Sequence, residues 1–448
     1  MEIPLQKRTR PRSTLTKGQA QNVNTGVDAQ GPYRPPPRER LLRGLAVAFT
    51  RADVDLLRRA TMRAVSSQQS AVVRWLLIAA MVPLVCLGQE PFYELREHET
   101  HYNGSGREDL EPHHLEEIRI GYFGPSDPGH PEGGDLWLAA QLALEDANRE
   151  GGYRGLPFQL KSCWSGSPWG TGISQLAQMV YSEDVWAIIG SIDGASTHLA
   201  EQVVAKARLP LLSPVSTDKT VNLANVPWMF SFMPGDHQIA PVLARAIADR
   251  VDDTPFVIAS STDHDSRLLV DELRVELAEH RTVPSYHLQF HPKGELTHVV
   301  NRVMLSSIRT VVVVAGAGDS ARLVRALRTK GFLGDIIGGP SFGRRAFLET
   351  AREAGDGVVF PVLASVDAPF AERFQKRFGR APDYAAAQTY DATRLLVEAV
   401  RQAGLNRTKI RDVLVELSPW KGVSGSVEWD PLGQNVRPVG LDVGDSPH

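Results

Sequence analysis

Short apolar runs alternate with segments of helical spacing along most of this chain, and Trp186–Thr220 shows the repeating unit most clearly. Ala187–Gly190 is an apolar run that ends in glycine, which predicts a buried strand. Thr197–Arg208 has apolar residues on one helical face, and Leu209–Pro214 predicts a second buried strand. Parallel strands joined by a helix form a right-handed crossover, so the polar loops after both strands should meet at one sheet edge.

The same alternation continues on both sides of this unit. Apolar runs predict strands at Ile118–Phe123, Pro157–Ser162, Trp228–Phe232, Phe256–Ser260, Tyr286–Phe290, Thr310–Ala315, Ile336–Gly339 and Val358–Val362. Helical spacing predicts helices at Asp135–Asn148, Gly172–Tyr181, Ile239–Arg250, Ser266–His280, Leu296–Ser307, Ser320–Lys330 and Arg345–Ala354. Such alternation favours parallel sheets covered by helices, and the number of strands exceeds what one open sheet usually holds. The sequence therefore predicts an α/β fold of two lobes.

The residues before this alternation have a different composition. Residues 1–61 combine clustered basic residues with consecutive prolines at 35–37, a composition that predicts disorder. Trp75–Leu87 is an apolar run of about 13 residues, shorter than the ~20 of a membrane span. Because basic residues precede this run and Cys86-Leu87-Gly88 offers small residues for cleavage, residues 62–88 are typical of a secretory signal peptide.

A signal peptide that starts at Met62 has consequences on both sides of it. We expect residues 1–61 to result from a start codon assigned too far upstream, and the mature protein to begin at Gln89. The alternative is an uncleaved membrane anchor through residues 72–88. Residues 89–117 are acidic and aperiodic, which predicts a flexible linker.

Composition narrows the classes of function. The 448 residues are 42% hydrophobic and 23% charged, with a formal net charge of −3, which lacks the basic footprint of a nucleic-acid-binding protein. Two cysteines exclude a disulfide framework and a cysteine-based zinc site. Glu111, His113 and His114 in the predicted linker have no closed ligand set, so we expect no metal site there.

Hydroxyl side chains are concentrated in the two polar loops of the Trp186–Thr220 unit. Ser196 and Thr197 lie at the predicted helix start, where free N–H groups and the helix dipole favour an anion. Ordinary helix capping is the alternative role for both. Val215–Lys219 supplies a second hydroxyl-rich loop at the same expected edge, which favours a ligand site over capping alone.

A series of short motifs follows in a specific order from Ile118 to Val443. They are Ile118–Pro125, Ala140–Gly152, Ile188–Gly190, Ser196-Thr197, Leu211–Pro214, Phe230–Gln238, Gly331-Phe332, Gly338–Pro340, Pro382–Tyr384, Tyr390–Ala392 and Gly422–Asp430. In this order they resemble the branched-chain amino-acid (Leu/Ile/Val)-binding family of type I periplasmic solute-binding proteins. The resemblance implies two Rossmann-like lobes with parallel sheets, joined by a hinge of three crossovers. Lobe one would comprise 118–236 and 366–418, and lobe two 237–365 and 419–443.

The resemblance also implies a function. A small-molecule ligand would sit in the cleft, the lobes would close over it by hinge bending, and the membrane permease of an ABC transporter would receive it. The protein would then be periplasmic or otherwise exported. The alternative is a ligand-sensing receptor or regulator with the same fold and no transport role.

Individual site residues follow from the resemblance by position. Ser196, Thr197 and Thr217 fall where the family binds a ligand carboxylate, and His264 falls near a position where relatives place an aromatic residue. Asp193 stands where relatives carry one half of a disulfide, so Cys163 has no partner for that bridge. The expected ligand-binding set is Asp193, Ala195, Ser196, Thr197, Ser216, Thr217, Asp263, His264 and Ser341.

The ligand class expected from the sequence departs from the family. Relatives that bind amino acids place an acidic residue after Gly-Pro to hold the ammonium, and here Ser341 follows Gly339-Pro340. A desolvated ammonium without an anionic partner is costly. We therefore expect a small carboxylate without an ammonium, or an amide-bearing relative, rather than a plain branched-chain amino acid. Asp193, Asp263 or Asp265 would be the substitute partner if leucine binds.

Enzymatic motifs are missing from the sequence. It contains no Gly-x-Ser-x-Gly elbow, Walker loop or strand–GxGxxG–helix fingerprint. Asp263-His264-Asp265 is an acid–base cluster, but no positioned nucleophile accompanies it. We expect no catalytic residue and no cofactor.

Overall fold

Parallel strands and helices alternate through the part of the chain that a computed structural model describes, residues 102–166, 168–251 and 254–444. The predicted signal peptide and residues 1–61 lie outside the described residues. The first segment contains β1 (Ile118–Phe123), α1 (Gly134–Arg149), β2 (Phe158–Cys163), α2 (Ile173–Ser182), β3 (Ile188–Gly190), α3 (Gly194–Ala207), β4 (Leu211–Ser213), α4 (Lys219–Leu223) and β5 (Met229–Ser231).

The second segment repeats this alternation. It contains α5 (Asp236–Val251), β6 (Phe256–Ser261), α6 (His264–Glu279), β7 (Tyr286–Phe290), α7 (Thr297–Met304), β8 (Thr310–Val314), α8 (Ala317–Thr329), β9 (Asp335–Gly338), α9 (Arg345–Ala351) and β10 (Val359–Val362). The closing segment contains α10 (Ala368–Phe378), α11 (Tyr384–Ala403), α12 (Arg407–Glu416), β11 (Trp420–Gly422), β12 (Gly425–Val427) and β13 (Gly440–Val443).

The strands form two large sheets of the same order. The five-stranded sheet runs β2-β1-β3-β4-β5, and the six-stranded sheet runs β7-β6-β8-β9-β10-β13, with β13 antiparallel to β10. We call each sheet with the helices packed on it the first and the second lobe. The chain passes between them after β5, after β10 and between β12 and β13. The predicted two-lobed parallel α/β fold with a hinge of three crossovers is confirmed.

Both faces of each sheet are buried, which explains the continuous apolar runs. Ile188 packs with α2 and α3, whereas the next residue, Ile189, packs with α1 and α11. In the second lobe, Val311 faces α7 and α8 while Val312 faces α5 and α6. All of these side chains are fully buried. Adjacent strand residues point to opposite faces, so a strand covered on both sides needs apolar residues throughout.

The closing segment contributes to both lobes. Val427 and Trp420 pack with the core of the first lobe, whereas Gly440–Val443 pairs with β10 in the second. The lobe boundaries expected from the sequence, 366–418 and 419–443, stay predictions.

Part of the predicted linker is attached to the first lobe. Arg107 Nε lies 2.7 Å from Asp412 Oδ2, and Asn406 Nδ2 donates to the Gly106 carbonyl at 2.7 Å. Glu111 accepts from the Tyr153 hydroxyl at 3.0 Å and pairs with Arg154. These polar residues therefore have partners on the folded body. Among the described residues, none of the helices has the length and apolarity that spanning a bilayer requires.

Candidate functional site

A cavity of about 320 Å³ lies between the two sheets. The first lobe lines it with Glu132, Ile192, Asp193, Ala195, Val215, Thr217 and Tyr384. The second lobe lines it with Asp263, His264, Asp265, Ser266, Leu269, Val314, Ala315, Gly316, Ala317, Gly339, Pro340, Ser341 and Arg344.

Sheet topology explains why these residues meet. The first-lobe residues, except Tyr384, come from the loops after β1, β3 and β4 and the start of α3. The second-lobe residues come from the carboxyl end of β8, the loops after β6, β8 and β9, and the N-terminal parts of α6 and α8. Ligands of open parallel sheets bind at the carboxyl ends of the strands, beside the point where strand order reverses. Close packing shapes one of these loops: a side chain at Gly190 would meet the Phe123 carbonyl oxygen at 2.3 Å. Glycine therefore lets β3 end directly beside β1.

Six of the nine predicted site residues line this cavity: Asp193, Ala195, Thr217, Asp263, His264 and Ser341. Within the described residues, the cavity lining does not include Ser196, Thr197 or Ser216, all of which are buried. Helix α3 begins at Gly194, three residues earlier than predicted, so Ser196 and Thr197 lie in its first turn. A ligand-binding role for Ser196, Thr197 and Ser216 stays a prediction.

Asp193, rather than Ser196 or Thr197, is the cap of α3. Its carboxylate accepts from the Ser196 backbone N–H at 2.7 Å and from the Ser196 hydroxyl. The Thr197 hydroxyl donates to the Asp193 carbonyl at 2.7 Å. Ser341 lines the cavity, but its hydroxyl donates to the Ala315 carbonyl at 2.6 Å. The hydroxyls of Ser196, Thr197 and Ser341 are therefore committed to local partners.

Several polar contacts join the lobes across the cleft. Both carboxylate oxygens of Asp265 accept from the Gly194 N–H, at 3.0 and 2.9 Å. His264 Nε2 lies 2.7 Å from Asp218 Oδ2, and Lys219 Nζ lies 2.5 Å from Glu272 Oε1. The N-terminus of α3 is thus already bonded to a carboxyl group from the opposite lobe, at the kind of position where ligand anions bind.

Residues 117–441 match the sequence profile of the periplasmic binding protein family. The chain belongs to this family. It is 22% identical over 341 residues to an amino acid binding protein of Pseudomonas aeruginosa, spanning 72% of this chain and 89% of that protein.

Solved structures with the same fold include two substrate-binding proteins with ligands. One is the branched-chain amino acid transporter protein LivJ of Streptococcus pneumoniae with isoleucine, at a TM-score of 0.67 and 19% identity over 74% of this chain and 97% of that chain. The other is an ABC transporter solute-binding protein of R. palustris with benzoate. It has a TM-score of 0.66 and 15% identity, over 74% of this chain and 94% of that chain. The type I periplasmic-binding-protein fold expected from the sequence is confirmed.

The cleft of this periplasmic binding protein is rich in carboxylates. Burial and then the charge of Asp193 raise the pKa of Asp265 to about 8. Burial acts against a charge on His198, but hydrogen bonds to Asp218 and Glu201 outweigh it and raise the pKa of His198 to about 9. Burial would raise the pKa of Asp218, yet bonds to His198, Thr220 and His264 hold that pKa well below its usual range. The electrostatic potential of the neighbouring carboxyl groups therefore favours positive charge in this part of the cleft.

Arg344 is a cavity residue that sequence reasoning missed. Its Nε donates to Asp383 Oδ2 at 2.8 Å, and its Nη2 donates to the Glu132 carbonyl at 2.7 Å. Burial opposes the ionised form of Asp383, but the charge of Arg344 outweighs it and holds the pKa of Asp383 below its usual value. The guanidinium is therefore already neutralised within this periplasmic binding protein. The sequence did contain a signal for Arg344, because this residue follows closely on the Gly338–Pro340 motif, which precedes the predicted site residue Ser341.

Cys163 is a free, partly buried thiol at the end of β2. Burial raises its pKa to about 12, so the thiolate is scarce at neutral pH. A reactive role is therefore not supported for this side chain.

Proposed function

We propose that this protein is the exported solute-binding component of an ABC-type importer, and that it captures a small amino-acid-like ligand between its lobes. The observation that carries the proposal is the cavity lined by both lobes at the carboxyl ends of their strands. A ligand that touches both lobes stabilises the closed arrangement through contacts that the open one lacks. Export is inferred from the family, and delivery to a membrane permease is the corresponding partner interaction.

The relatives support this role in general terms. The Pseudomonas aeruginosa relative is an amino acid binding protein, and the fold neighbours hold isoleucine or benzoate. These are binding proteins rather than enzymes. A cavity of about 320 Å³ lies at the lower end of the usual ligand-pocket range, which suits a molecule of that size.

The charges that line the cavity favour a ligand with an amine. Four acidic side chains line it, Glu132, Asp193, Asp263 and Asp265. Because the pKa of Asp265 is raised to about 8, Glu132, Asp193 and Asp263 are the acids that can supply negative charge at neutral pH. The positive charge of Arg344 is already paired with Asp383. An uncharged Ser341 was the reason to expect a ligand without an ammonium, but these acids supply the anionic partner that Ser341 lacks. We therefore infer an amine-bearing, amino-acid-like ligand.

A carboxylate on the same ligand also has a matching position. Helix α8 begins at Ala317, and Gly316 and Ala317 line the cavity. Free N–H groups and the positive end of the dipole favour an anion at such a helix start. The two charges of an amino acid would then lie between α8 and the acids of the first lobe.

Three related compounds test the ligand class by calorimetry on the full chain: leucine, 4-methylpentanoate, which lacks the amine, and 3-methylbutylamine, which lacks the carboxylate. We expect 4-methylpentanoate to bind at least about tenfold more weakly than leucine, because a charge-assisted hydrogen bond is worth roughly 1.5–3 kcal/mol. At a hundred times its dissociation constant, the best ligand should stabilise the protein by about 2.7 kcal/mol. Tighter binding of 4-methylpentanoate or benzoate would contradict the amine requirement, and no stabilisation by any small solute would contradict the binding role.

Two hydroxyl variants separate a residue that lines the cavity, Thr217, from a buried residue whose hydroxyl bonds the cap of α3, Ser196. Thr217→Ala should lower the affinity for the best ligand of that set by about 1 kcal/mol, roughly fivefold, because Thr217 lines the cavity. Ser196→Ala should leave the affinity unchanged, since the Ser196 hydroxyl bonds Asp193. Calorimetry on both variants is the measurement. Equal losses would mean that Ser196 reaches the ligand, as the sequence predicts.

A further inference from the structure

Two imidazoles and a carboxylate converge where α3, α4 and α6 meet. His198 Nε2 lies 3.0 Å and His264 Nε2 lies 2.7 Å from the same oxygen, Asp218 Oδ2. The three potential ligand atoms all lie within 4.8 Å of one another. His198 and Asp218 belong to the first lobe, whereas His264 begins α6 in the second. The cluster therefore spans the cleft.

Neighbouring residues hydrogen-bond to the members of this cluster, as residues around a metal site hydrogen-bond to its ligands and fix their orientation. Glu201 Oε2 lies 3.1 Å from His198 Nδ1, which leaves Nε2 directed at Asp218. Thr220 donates to Asp218 Oδ1 from its backbone N–H at 2.8 Å and from its hydroxyl at 2.6 Å. A carboxylate on the second ring nitrogen fixes the orientation and basicity of a metal-binding histidine. The contacts of Glu201 with His198 and of Thr220 with Asp218 are therefore observations separate from the distances among the three residues of the cluster.

The cluster also lacks compensating positive charge when its imidazoles are neutral. Asp218 and Glu201 are buried, and in the described part of the chain no lysine or arginine salt bridge reaches either carboxylate. Lys219, the adjacent cation, pairs with Glu272 on α6 instead. Burial of two carboxylates without a cation is costly, and a divalent ion would neutralise both. Protonated histidines are the competing solution, because protons and metal ions use the same nitrogen lone pairs.

We propose that His198, Asp218 and His264 form a site for a divalent transition-metal ion of the class that imidazole and carboxylate ligands suit, with Zn²⁺ as its representative. Ligand atoms around tetrahedral zinc stand roughly 3.4 Å apart at bond lengths of about 2.1 Å. The observed separations of 2.7 and 3.0 Å from Asp218 require small outward movements once the bridging protons are lost. Three protein ligands leave a fourth position for water.

A metal ion at this position would link the lobes independently of any solute. His264 is the only ligand of the set that the second lobe provides. Its bond to the ion would hold α6 against α3 and α4, beside the contact between Asp265 and Gly194. The expected consequence is a metal-stabilised closed cleft.

Zn²⁺ titration of the full chain, freed of any polyhistidine tag and stripped with a chelator, tests the site without a solute. Calorimetry should show one high-affinity ion per chain, and Co²⁺ should give the visible absorption of a site with nitrogen and oxygen ligands. Asp218→Asn and His264→Gln should each weaken Zn²⁺ binding by about 100-fold or more, since even outer partners are worth about 10–100-fold. Small-angle scattering should show that Zn²⁺ makes the native protein, but not His264→Gln, more compact.

His280→Gln is the matched control, because His280 caps the far end of the same helix α6. It should bind Zn²⁺ as the native protein does. Circular dichroism must show native folding of His264→Gln, whose side chain is one-third exposed. Undetectable Zn²⁺ binding, or equal affinity in native protein and His264→Gln, would overturn the proposal. If Asp218→Asn lost Zn²⁺ affinity while His264→Gln kept it, the ion would be bound by the first lobe alone, and the proposed link between the lobes would be overturned.

Discussion

Replacing Asp383 by alanine is expected to lower the free energy of unfolding by about 3–5 kcal/mol, the usual cost of breaking a buried ion pair. Asp383 is buried and accepts from Arg344 Nε at 2.8 Å and from the Arg345 N–H at 3.1 Å. It also caps α11 by accepting from the Ala386 N–H at 3.0 Å. The variant removes the cap and leaves the buried guanidinium of Arg344 with only its contacts to Glu132.

Asp367→Ala is the control for this variant in urea unfolding. Asp367 also caps a helix, accepting from the Phe370 N–H at 3.4 Å, but it is exposed and has no arginine partner within the described residues. Its loss should cost about 1 kcal/mol, the usual value of a cap. Equal losses in the two variants would show that the ion pair adds nothing to the cap.

The pH dependence of Asp383→Ala has a definite sign. Because Arg344 holds the folded pKa of Asp383 below its ordinary value, ionised Asp383 stabilises the fold above that ordinary value, about 3.9. The contribution is lost as the pH falls through the folded pKa. The difference between native protein and variant should therefore be largest near neutral pH and should shrink in acid.

The positions of the parallel strands along the chain were predictable because both faces of each sheet are covered. Thr310–Val314 is buried at every position, so its apolar run has no polar interruption. Helix starts were less predictable, since Asp193 and Asp263, rather than the serines three residues later, are the caps. Both lobes repeat Asp-x-x-Ser at this point, and each aspartate accepts from the serine N–H. Recognising that repeat would have placed both helix starts.

The partners within the cleft were not predictable from the sequence. Asp265 and Gly194 are 71 residues apart, and Arg344 is 212 residues from Glu132. Glu132 and Arg344 lie in loops, whereas Gly194 and Asp265 lie in the first turns of α3 and α6. Apolar periodicity does not show which of these residues face the opposite lobe. Strand order brings the loops to one edge, but the rotation of one lobe against the other decides which residues meet. Sequence reasoning therefore found the loops that line the cavity without finding the contacts between them.

Asp193→Asn is expected to lower the affinity for leucine, or a related amine-bearing ligand, by about 10–100-fold. Asp193 lines the cavity, and only its Oδ1 bonds Ser196. Asparagine caps a helix as well as aspartate does, so α3 should keep its start while the cavity loses a negative charge. A charge-assisted hydrogen bond worth about 1.5–3 kcal/mol gives a change of that size.

Asp263→Asn is the matched variant, because Asp263 also caps a cavity helix but engages both oxygens with Ser266, at 2.9 and 2.8 Å. It should change leucine affinity much less. The sharper comparison uses 4-methylpentanoate, which has the shape of leucine without the amine. Asp193 also raises the pKa of Asp265, so its removal affects cleft closure equally for both compounds, and that effect cancels in their ratio. An equal loss for leucine and 4-methylpentanoate in Asp193→Asn would show that Asp193 does not bind the amine.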